Sequence, residues 1–594
     1  MTPDPGSASA RALVDEWVRA GVTDAVIAPG SRSTPLTLAL ATDGRVRVHV
    51  MLDERSAAGF ALGLGHATRR PAVVCCTSGT AGAHFHGAVL EAYHGRVPII
   101  VCTADRPPEL HDVGSGQTVS QHRLFGDAVR WFHDPGVPSV AADDDVGADP
   151  VPWRHLGARS VAVASGPPAG PVHLNLAFRD PLVPSALVPP LEGGRPGDGA
   201  ATRAPSITSF RSIRRPREPE VDALVRAVRA APRGVLVAGW GAEVSATSAA
   251  AFLDATGWPL LADPLSNLRL DALGDAVIST YDALLRIPAV AETVRADLTV
   301  RVGAPLTSPA ARAYVDAAPL GWLVDPHDAW LDPGRSASVR VTCDGDELLA
   351  RVAEVLGDDG NRSNWRDRWS KLDDMARSAI DDHCDADDRL FEGRIARDVV
   401  AALPAGSALV VASSMPVRDV ESFAAPRDGL QVLANRGANG IDGFVSTVLG
   451  VATGWSGTTV GLLGDLCFLH DVNGLLGARG REVDATFVVV DNDGGGIFSF
   501  LAQARSDAVS AEHFELLFAT PHGIDLAALA AVHRIPCDEV ITASAVGPAV
   551  AAAVATGGVR IVLVRTERSD NPSRHEAVWA AVSSAVLGLL VPDS

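Results

Sequence analysis

The chain contains 594 residues with a mass of 61.6 kDa, a length that exceeds one hydrophobic core and indicates about three domains. Apolar residues account for 47% and charged residues for 21%, which excludes a disordered or collagen-like chain. The 51 basic and 71 acidic residues leave a formal charge of −20. This charge argues against a nucleic-acid partner and against an anionic membrane surface.

The lysine and cysteine content argues against further classes of reaction and binding site. Lys371 is the only lysine and lies in a polar stretch that we predict to be a solvent-facing helix, which argues against P-loop and Schiff-base chemistry. The seven cysteines form no Cys-x-x-Cys pair, which argues against a disulfide framework or zinc ribbon and indicates a reducing compartment. The N-terminus lacks a signal-peptide pattern, and the apolar run at 585–592 is too short to span a bilayer. We therefore expect a cytoplasmic protein without a membrane span.

Short β-rich runs alternate with helix-like segments along the chain, which predicts parallel βαβ units. We expect an α/β fold of three domains, each a mainly parallel sheet flanked by helices. The predicted boundaries are an N-terminal domain at 1–183, a Pro- and Gly-rich linker at 184–205, a middle domain at 206–357, a connecting segment at 358–388 and a C-terminal domain at 389–594. The predicted strands lie at 25–28, 46–50, 73–76, 99–102, 234–238, 298–302, 322–324, 408–411, 460–463, 486–490 and 559–564.

Two polar residues follow neighbouring predicted strands of the C-terminal domain. Asp465 and Asn492 are 27 residues apart, a spacing that accommodates a loop, a crossover helix at about 470–479 and the next parallel strand. Both side chains can then emerge at one edge of the sheet. Together with a backbone carbonyl of the glycines at 494–496, they offer the hard oxygen ligands that Mg²⁺ prefers. The alternative is that both residues only cap helices.

The residues around this pair resemble the thiamin-diphosphate fingerprint, in which a Gly-Asp-Gly triplet is followed by a pair of Asn residues. Leu466 replaces the last glycine of the triplet. Asn492 is single and is flanked by Asp491 and Asp493. Because the two residues that would hold the metal remain, these departures weaken the match without breaking it.

Thiamin chemistry also needs a carboxylic acid that hydrogen-bonds the aminopyrimidine ring of the cofactor. Glu54 is the best candidate, since it stands where a predicted strand leads into a helix rich in Ala and Gly. The alternative is a solvated glutamate that only complements the helix dipole. Glu54 and the pair Asp465 and Asn492 form two half-sites that are far apart in the chain. This separation fits a cofactor that is bound at a domain interface, either within one chain or between subunits.

Four further motifs stand in the sequence: Ala28-Pro-Gly-Ser-Arg-Ser-Thr-Pro-Leu, Thr77-Ser-Gly-Thr-Ala, Thr103-Ala-Asp-Arg-Pro-Pro-Glu-Leu and Asn435-Arg-Gly-Ala-Asn-Gly-Ile-Asp-Gly. They resemble those of the 2-succinyl-5-enolpyruvyl-6-hydroxy-3-cyclohexene-1-carboxylate synthases, which are thiamin-dependent transferases of menaquinone biosynthesis. The resemblance implies decarboxylation of 2-oxoglutarate and addition of the succinyl-semialdehyde carbanion equivalent to isochorismate. It also implies thiamin diphosphate and Mg²⁺, with Mn²⁺ as a substitute, and a homodimer or homotetramer with active sites at subunit interfaces.

The same resemblance implies site residues, with Glu54 as the catalytic acid and Ile441 as the aliphatic wedge that bends the cofactor. The implied metal ligands are Asp465, Asn492 and the carbonyl of Gly494. The implied cofactor contacts are Glu54, Ser78, Gly79, Ser414, Ile441, Gly464, Asp465, Leu466, Asn492, Ile497 and Phe498. The implied substrate contacts are Ser31, Arg32, Arg106, Gln117, Ser414, Arg418, Arg436, Phe498 and Leu501.

Two other functions stay open. An acetolactate synthase or another 2-oxoacid decarboxylase would share Glu54 and Asp465 but would not need several arginines facing carboxylates. A non-catalytic binding or regulatory protein on the same scaffold would have lost the glutamate or a metal ligand, and neither is lost. Whether Arg312 replaces a basic residue that the family often carries in its middle domain is also open.

Two further patterns favour structural roles. The loop at 239–244 imitates a dinucleotide-binding turn but lacks the third glycine, although such a loop could cradle a flavin. His84, His86 and His94 lack a further ligand at a plausible spacing, so we expect buried or capping histidines rather than a metal site.

Overall fold

The protein folds into three parallel sheets flanked by helices. This finding confirms the predicted α/β fold. The structure is a computed structural model that describes residues 4–139, 151–184, 204–357 and 364–588. Each sheet is doubly wound, with strand orders β2-β1-β3-β4-β6-β5, β11-β10-β9-β7-β8 and β13-β12-β14-β15-β17-β16. In such sheets the loops after the carboxyl ends of the strands form the binding edge.

The N-terminal sheet is covered by helices on both faces. Its strands are β1 (Asp24–Ile27), β2 (Arg47–Val50), β3 (Ala72–Cys76), β4 (Ile99–Asp105), β5 (Trp131–His133) and β6 (Pro171–Ala177). Its helices are α1 (Pro5–Arg19), α2 (Thr34–Asp43), α3 (Glu54–Thr68), α4 (His86–His94) and α5 (Val151–Ser165), with 3₁₀ helices at Gly79–Phe85 and Pro108–Leu110.

The middle sheet is built in the same way. Its strands are β7 (Gly234–Ala238), β8 (Leu260–Ala262), β9 (Leu298–Val302), β10 (Leu320–Val324) and β11 (Val339–Val341). The helices are α6 (Glu218–Ala230), α7 (Ala246–Thr256), α8 (Tyr281–Leu285), α9 (Pro288–Thr293), α10 (Pro309–Asp316), α11 (Gly345–Leu356) and α12 (Trp365–Asp385), with 3₁₀ helices at Pro264–Ser266 and Asp271–Ala276.

The C-terminal sheet completes the fold. Its strands are β12 (Ser407–Val411), β13 (Leu430–Leu433), β14 (Thr459–Gly464), β15 (Ala485–Asp491), β16 (Cys537–Val540) and β17 (Val559–Arg565). The helices are α13 (Glu392–Ala402), α14 (Met415–Phe423), α15 (Phe444–Gly454), α16 (Asp465–His470), α17 (Ala502–Arg505), α18 (Ala511–Phe514), α19 (Leu526–Val532), α20 (Val546–Thr556) and α21 (Asn571–Leu587). Short turns lie at Val472–Leu475, Ala478–Gly480, Gly496–Phe500 and Ala543–Ala545 (3₁₀) and at Glu515–Ala519 (π).

The chain divides into two compact units that do not follow chain order. The described residues within Met1–Ser212, Asn435–Thr459 and Cys467–Ala485 form the first unit. The described residues within Ile213–Ala434, Val460–Leu466 and Thr486–Ser594 form the second unit. Each unit has its own hydrophobic core, which in the first surrounds Trp17 and Leu174. The stretch predicted as one C-terminal domain therefore contributes residues to both units.

The predicted strands are all present, with small shifts at their ends. Six further strands were not predicted, and β5, β8 and β11 among them have only three residues each. The pattern of the sequence does not reveal β6, because this strand begins with a proline and carries the buried polar residues His173 and Asn175. Both side chains form hydrogen bonds with the hydroxyl of Thr103. Polar residues inside a buried strand conceal the usual apolar run.

The predicted crossover helix at 470–479 is wrong. The helix α16 begins at Asp465 and ends at His470, and two 3₁₀ turns follow it. Gly477 adopts a positive φ of 75°, and a side chain at Gly474 would clash with Ser446, whose Oγ lies 2.6 Å from the position of an added Cβ. Both positions need glycine, and glycine weakens a continuous helix.

Lys371 is exposed, as predicted, but its helix α12 is amphipathic rather than polar throughout, with Trp365 and Trp369 buried. None of the seven cysteines is joined in a disulfide. Across the described ranges, no helix combines the length and the apolar character that crossing a membrane requires.

Candidate functional site

Six of the predicted site residues follow the carboxyl ends of adjacent strands in the first unit. Ser31 and Arg32 come after β1, Ser78 and Gly79 come after β3, and Arg106 comes directly after β4. β1 pairs with β3, and β3 pairs with β4, all in parallel. The sheet order therefore places these residues along one edge, although they are distant in the sequence. Gln117 joins them from the loop after β4.

Hydrogen bonds connect this edge. Arg106 donates from one guanidinium nitrogen to the hydroxyl of Ser78 and to the backbone oxygen of Gln117, the latter at 2.8 Å. The side-chain amide of Gln117 donates to the backbone oxygen of Ser78 at 3.1 Å. At Gly79 an added Cβ would lie 2.7 Å from Cγ of Gln117, and its φ is 82°. Glycine is therefore required at that turn.

Gln121 belongs to the same edge and was missed by the sequence analysis. Its Oε1 accepts a hydrogen bond of 2.9 Å from the backbone N–H of Gly79. Its amide nitrogen donates to the backbone oxygen of Ala104 and to Oδ1 of Asn175, at 3.1 and 2.9 Å. The partner Asn175 lies on the unpredicted strand β6, so no local signal could have indicated Gln121.

Two arginines bring positive charge to this edge. Arg32 is buried and donates to the backbone oxygen of Phe178 at 3.0 Å, with the carboxylate of Asp180 at 3.4 Å. Burial lowers the pKa of Arg106, and the neighbouring Arg32 cation lowers it further. Two cations that repel each other are stabilised by a bound anion, and guanidinium groups are suited to carboxylates.

Glu54 is the first residue of α3, as predicted, and is half-buried. The preceding Asp53 caps the helix by accepting a hydrogen bond of 2.9 Å from the backbone N–H of Arg55. Asp53 also accepts a hydrogen bond of 2.8 Å from the side-chain amide of Asn473. The pKa of Cys76, at the end of β3, is raised by burial and by nearby negative charge that includes Glu54. Glu54 therefore lies near enough to the end of β3 for its charge to act on Cys76.

A close contact with α15 fixes the position of α3 within the first unit. An added Cβ at Gly63 would lie 2.1 Å from the backbone oxygen of Thr447, and one at Gly450 would lie 2.1 Å from that of Phe60. Ser56 donates at 3.1 Å to Asp471, whose carboxylate is buried. The Ala- and Gly-rich sequence of α3 thus permits backbone contact between the two helices.

The loop that carries Arg436 and Ile441 is held by a buried acid that sequence reasoning missed. The two carboxylate oxygens of Glu91 accept hydrogen bonds of 2.7 Å from the backbone N–H groups of Gly437 and Ala438. Burial raises the pKa of Glu91, and the two hydrogen bonds oppose this increase. A cavity of about 150 Å³ lies beside this loop, lined by residues that include Arg55, Gly59, His84, Glu91, Asn435 and Asp471.

The predicted metal ligands lie together in the second unit, at the carboxyl ends of β14 and β15. One oxygen of the buried Asp465 accepts hydrogen bonds from the backbone N–H groups of Asn492 and Gly494, at 3.1 and 2.8 Å. Its other oxygen accepts one of 2.6 Å from the N–H of Leu466. Burial raises the pKa of Asp465, and these hydrogen bonds oppose the increase.

Asn492 presents a buried oxygen without a partner. Its side-chain nitrogen donates to Oε1 of Glu392 at 2.8 Å, whereas its Oδ1 atom accepts no hydrogen bond from any described residue. Unsatisfied buried acceptors are rare in native proteins. Hard divalent cations bind oxygen atoms such as an amide oxygen and a carboxylate. The Oδ1 atom of Asn492 and the carboxylate of Asp465 therefore fit Mg²⁺. Glu392 was not predicted.

Two further groups face the predicted metal ligands. His522 has one ring nitrogen 3.4 Å from Asp465 and 3.9 Å from Asp491. Ligand atoms of these three residues lie within 4.8 Å of one another. Asp491 could be noticed in the sequence because it is adjacent to Asn492. His522 lies 30 residues beyond Asn492, and no motif around His522 indicates this site.

Residues after β12 and β15 supply the remaining predicted contacts of the second unit. Ser414 precedes α14 with φ 81° and ψ −137°, a strained conformation for a residue with a side chain. Arg418 donates to the backbone oxygen of Ser414. Ile497 and Phe498 lie in the 3₁₀ helix after β15, and Leu501, which follows it, is exposed. β12, β14 and β15 are successive strands of the sheet, so these loops leave the same edge.

Other predicted features have structural explanations. The expectation of buried or capping histidines is wrong as to burial, since His84, His86 and His94 are exposed. His86 is the C-cap of the 3₁₀ helix Gly79–Phe85, and His94 lies in the last turn of α4. An added Cβ at Gly239 would lie 1.7 Å from the backbone oxygen of Ala304, which supports a structural role for that turn. The guanidinium of Arg312 lies 3.4 Å from the backbone oxygens of Leu306 and Thr307.

Comparisons with known proteins bear on the same segments. Residues 8–126 match the N-terminal TPP binding domain of thiamine pyrophosphate enzymes, residues 214–411 match their middle domain, and residues 422–564 match their C-terminal TPP binding domain. A Thermobifida fusca protein named 2-succinyl-5-enolpyruvyl-6-hydroxy-3-cyclohexene-1-carboxylate synthase is 42% identical and covers 98% of this chain and 100% of its own length. This chain belongs to that synthase family.

Other relatives with the same name match to a similar extent. The synthase of Geobacillus thermodenitrificans is 40% identical over 98% of this chain and 97% of its own length. The synthase of Myxococcus xanthus is 41% identical over 97% of each chain. The predicted family is therefore confirmed, and the chain is a thiamine-pyrophosphate-dependent enzyme of the transferase class.

Proposed function

We propose that this chain decarboxylates 2-oxoglutarate and adds the resulting succinyl-semialdehyde carbanion equivalent to isochorismate. The product is 2-succinyl-5-enolpyruvyl-6-hydroxy-3-cyclohexene-1-carboxylate, an intermediate of menaquinone biosynthesis. The names of relatives that match nearly the whole chain support this reaction. The observation that carries it is the unpaired Oδ1 of Asn492 beside the buried Asp465, which fits a metal-bound diphosphate.

The second unit would hold the diphosphate end of the cofactor. Asp465, the Oδ1 atom of Asn492 and the carbonyl of Gly494 would bind Mg²⁺, for which Mn²⁺ can substitute. Gly464 and Leu466 flank Asp465 and would contact the diphosphate. Bound thiamin diphosphate would supply an electron sink for the bonding pair that stays on the substrate carbon when carbon dioxide leaves. The apolar side chains of Ile497 and Phe498 would keep water from the reacting atoms.

The first unit would hold the pyrimidine end. Glu54 would share a proton with the ring through a hydrogen bond, which requires an acid and not only its shape. Ser78 and Gly79, at the end of β3, would line the same ring, and Ile441 would support the bent form of the cofactor. The half-buried position of Glu54 at the start of α3 supports this role.

Each substrate carries two carboxylates, whereas the chain has a charge of −20. A local cluster of arginines would therefore be needed to collect them. Burial lowers the pKa of Arg106, and Arg32 lies close enough for its positive charge to lower it further. Arg418 and Arg436 would complete the set. The remaining substrate contacts that we propose are Ser31, Gln117, Ser414, Phe498 and Leu501.

We also propose that the chain acts in the cytoplasm as a homodimer or homotetramer, with active sites formed at subunit interfaces. Seven cysteines without a disulfide are consistent with a reducing compartment. The oligomeric state is measured by light scattering after gel filtration, and a monomer with full activity would contradict the interface site.

The function is tested by decarboxylation assays with 2-oxoglutarate, thiamin diphosphate and Mg²⁺, with and without isochorismate. We expect rapid release of carbon dioxide and the six-membered-ring product only when isochorismate is present. Fast turnover of 2-oxoglutarate alone to an aldehyde would indicate a simple decarboxylase. Condensation of two pyruvate molecules would indicate an acetolactate synthase, and no turnover of any 2-oxoacid would indicate a non-catalytic protein.

The metal half of the site has its own test. Asp465→Ala should remove most of the thermal stabilisation that Mg²⁺ and thiamin diphosphate confer, which is about 2.7 kcal/mol for a ligand at 100 times its Kd. Asp525→Ala is the matched control, because Asp525, like Asp465, accepts hydrogen bonds from backbone N–H groups but caps α19 instead. Equal stabilisation of both variants by the cofactor would contradict the assignment of Asp465.

A further inference from the structure

A buried glutamate lies behind the proposed metal ligand Asn492. Glu392 is the first residue of α13 and is 5% exposed. Its Oε1 atom accepts a hydrogen bond of 2.8 Å from Nδ2 of Asn492 and one of 3.2 Å from the hydroxyl of Thr566. The three residues come from α13, from the loop after β15 and from the residue that follows β17. They meet only in the folded second unit.

This hydrogen bond determines which end of the Asn492 amide faces the metal site. A side-chain amide has a donor end and an acceptor end. Because Oε1 of Glu392 takes the donor end, Oδ1 points the other way and is buried without a hydrogen bond from any group in the described ranges. A ligand oxygen that is already oriented loses less conformational entropy when a cation binds.

The backbone of the same segment is fixed independently. The carboxylate of Asp465 accepts hydrogen bonds from the N–H groups of Asn492 and Gly494. These contacts set the path of the chain, but they leave the side-chain torsion of Asn492 free. Within the described residues the contact with Glu392 is the hydrogen bond that restrains the amide itself.

We propose that Glu392 is a positioning residue of the metal site, which aims Oδ1 of Asn492 at the divalent cation by accepting the hydrogen bond from Nδ2. The inference rests on the proposed function, because it takes Asn492 as a metal ligand. Partners that orient a metal ligand in this way typically change metal affinity by about 10–100-fold when they are replaced.

The test is the affinity of the full-length protein for Mn²⁺ in the presence of thiamin diphosphate, measured by electron paramagnetic resonance. Glu392→Met removes the acceptor, and Glu392→Asp is a milder second variant that withdraws the carboxylate by one methylene. Glu392→Gln keeps an oxygen that can accept the hydrogen bond. Glu421→Asp is the matched control, because Glu421 is also buried and hydrogen-bonded in the second unit.

We expect the Kd for Mn²⁺ to rise by about 10–100-fold in Glu392→Met and by about tenfold in Glu392→Asp. Glu392→Gln should stay within about threefold of the wild type, because it retains the acceptor. Glu421→Asp should bind Mn²⁺ as the wild type does, even where its melting temperature falls. This pattern separates orientation of the ligand from a general loss of stability.

Three results would overturn the proposal. One is a wild-type Kd for Mn²⁺ in Glu392→Asp or Glu392→Met. Another is an equal weakening in Glu421→Asp, and the third is a Gln variant as weak as the Met variant. Failure of the proposed function looks different: the wild type would then bind Mn²⁺ no better than Asp465→Ala does, with or without thiamin diphosphate.

Discussion

Arg106 is one of 50 arginines in the chain, and its contacts distinguish it from a surface cation. It donates hydrogen bonds to Ser78 and to the backbone of Gln117, and burial and the Arg32 cation lower its pKa. A motif in the sequence predicted Arg106 as a substrate contact. Its contact with Ser78 depends on the pairing of β3 with β4, where Cys76 lies opposite Thr103.

Glu54 allows a direct test at the scale of one residue. Glu54→Gln keeps the size of the side chain and the start of α3 but removes the acid, so we expect a folded protein whose turnover falls by about 100-fold or more. Turnover is measured as formation of product from 2-oxoglutarate and isochorismate, and folding is checked by the melting temperature.

The control for this variant is Glu218→Gln. Glu218 is also the first residue of a helix, α6, and is exposed, so its replacement removes the same dipole interaction without touching the cofactor site. We expect full activity for Glu218→Gln. Near-normal turnover by Glu54→Gln would reject the catalytic role of Glu54.

At the scale of elements, α3 depends on a helix that is distant in the sequence. The Ala- and Gly-rich composition of the segment predicts α3 but not its contact with α15. That contact brings Gly63 against the backbone of Thr447 and Gly450 against the backbone of Phe60. Helix periodicity indicates which face is apolar, but it does not identify the partner on that face.

Gly63→Ala should reveal how closely the two helices pack. The added methyl group would overlap the backbone oxygen of Thr447 at 2.1 Å, and backbone cannot yield as a side chain does. We expect a loss of about 1–3 kcal/mol in stability, measured as a lower melting temperature. Gly480→Ala is the control, because its added Cβ meets nothing within 4 Å. Equal melting temperatures for the two variants would show that the helices can separate at little cost.

A buried acid also ties elements of the second unit together. Glu421 of α14 accepts hydrogen bonds from the hydroxyl of Tyr281, in α8, and from the backbone N–H of Ser308. Burial raises its pKa to about 8, and the nearby carboxylates of Asp263 and Asp282 add to the increase. The folded protein therefore holds this proton more tightly than the unfolded chain does.

The pH dependence of stability follows from that shift. The contribution of Glu421 is fully present below its ordinary pKa of 4.5 and is lost as the pH rises through about 8. Glu421→Gln keeps the hydrogen-bond acceptor but cannot ionise. Its melting temperature should therefore rise relative to that of the wild type as the pH increases from about 5 to about 9. A difference that stays constant with pH would contradict the raised pKa, and Glu218→Gln serves as the exposed control.

At the scale of the whole molecule, the two half-sites belong to different compact units. Glu54 and the edge around Ser78 lie in the first unit, whereas Asp465 and Asn492 lie in the second. The proposed cofactor needs both halves. Our proposal of an interface site assigns the two halves of each active site to different subunits, which leads to a prediction about mixed oligomers.

Glu54→Gln and Asp465→Ala should complement each other when their subunits are mixed. Each mixed dimer would contain one site with an intact glutamate and an intact metal ligand, so activity should return to about a quarter of the wild-type value. Turnover is measured after subunit exchange, with two affinity tags to quantify mixed dimers. If tagged mixed dimers form but stay inactive, the two halves of a site come from the same chain.

Much of this protein could be predicted from the sequence by itself. Alternating β-rich and helical runs specified an α/β fold, because strand and helix periodicities are local properties of the chain. Glu54, Asp465 and Asn492 could be proposed as site residues because each stands just after a predicted strand.

Other features were decided only by tertiary structure. Glu392 and Gln121 position other residues through hydrogen bonds to strands and loops far away in the chain, and His522 reaches Asp465 from a loop 57 residues beyond it. The division into two units, with 435–459 and 467–485 joined to the N-terminal part, was equally hidden. Such contacts depend on which strands and helices become neighbours, and that choice is made by the packing of the whole chain rather than by local sequence.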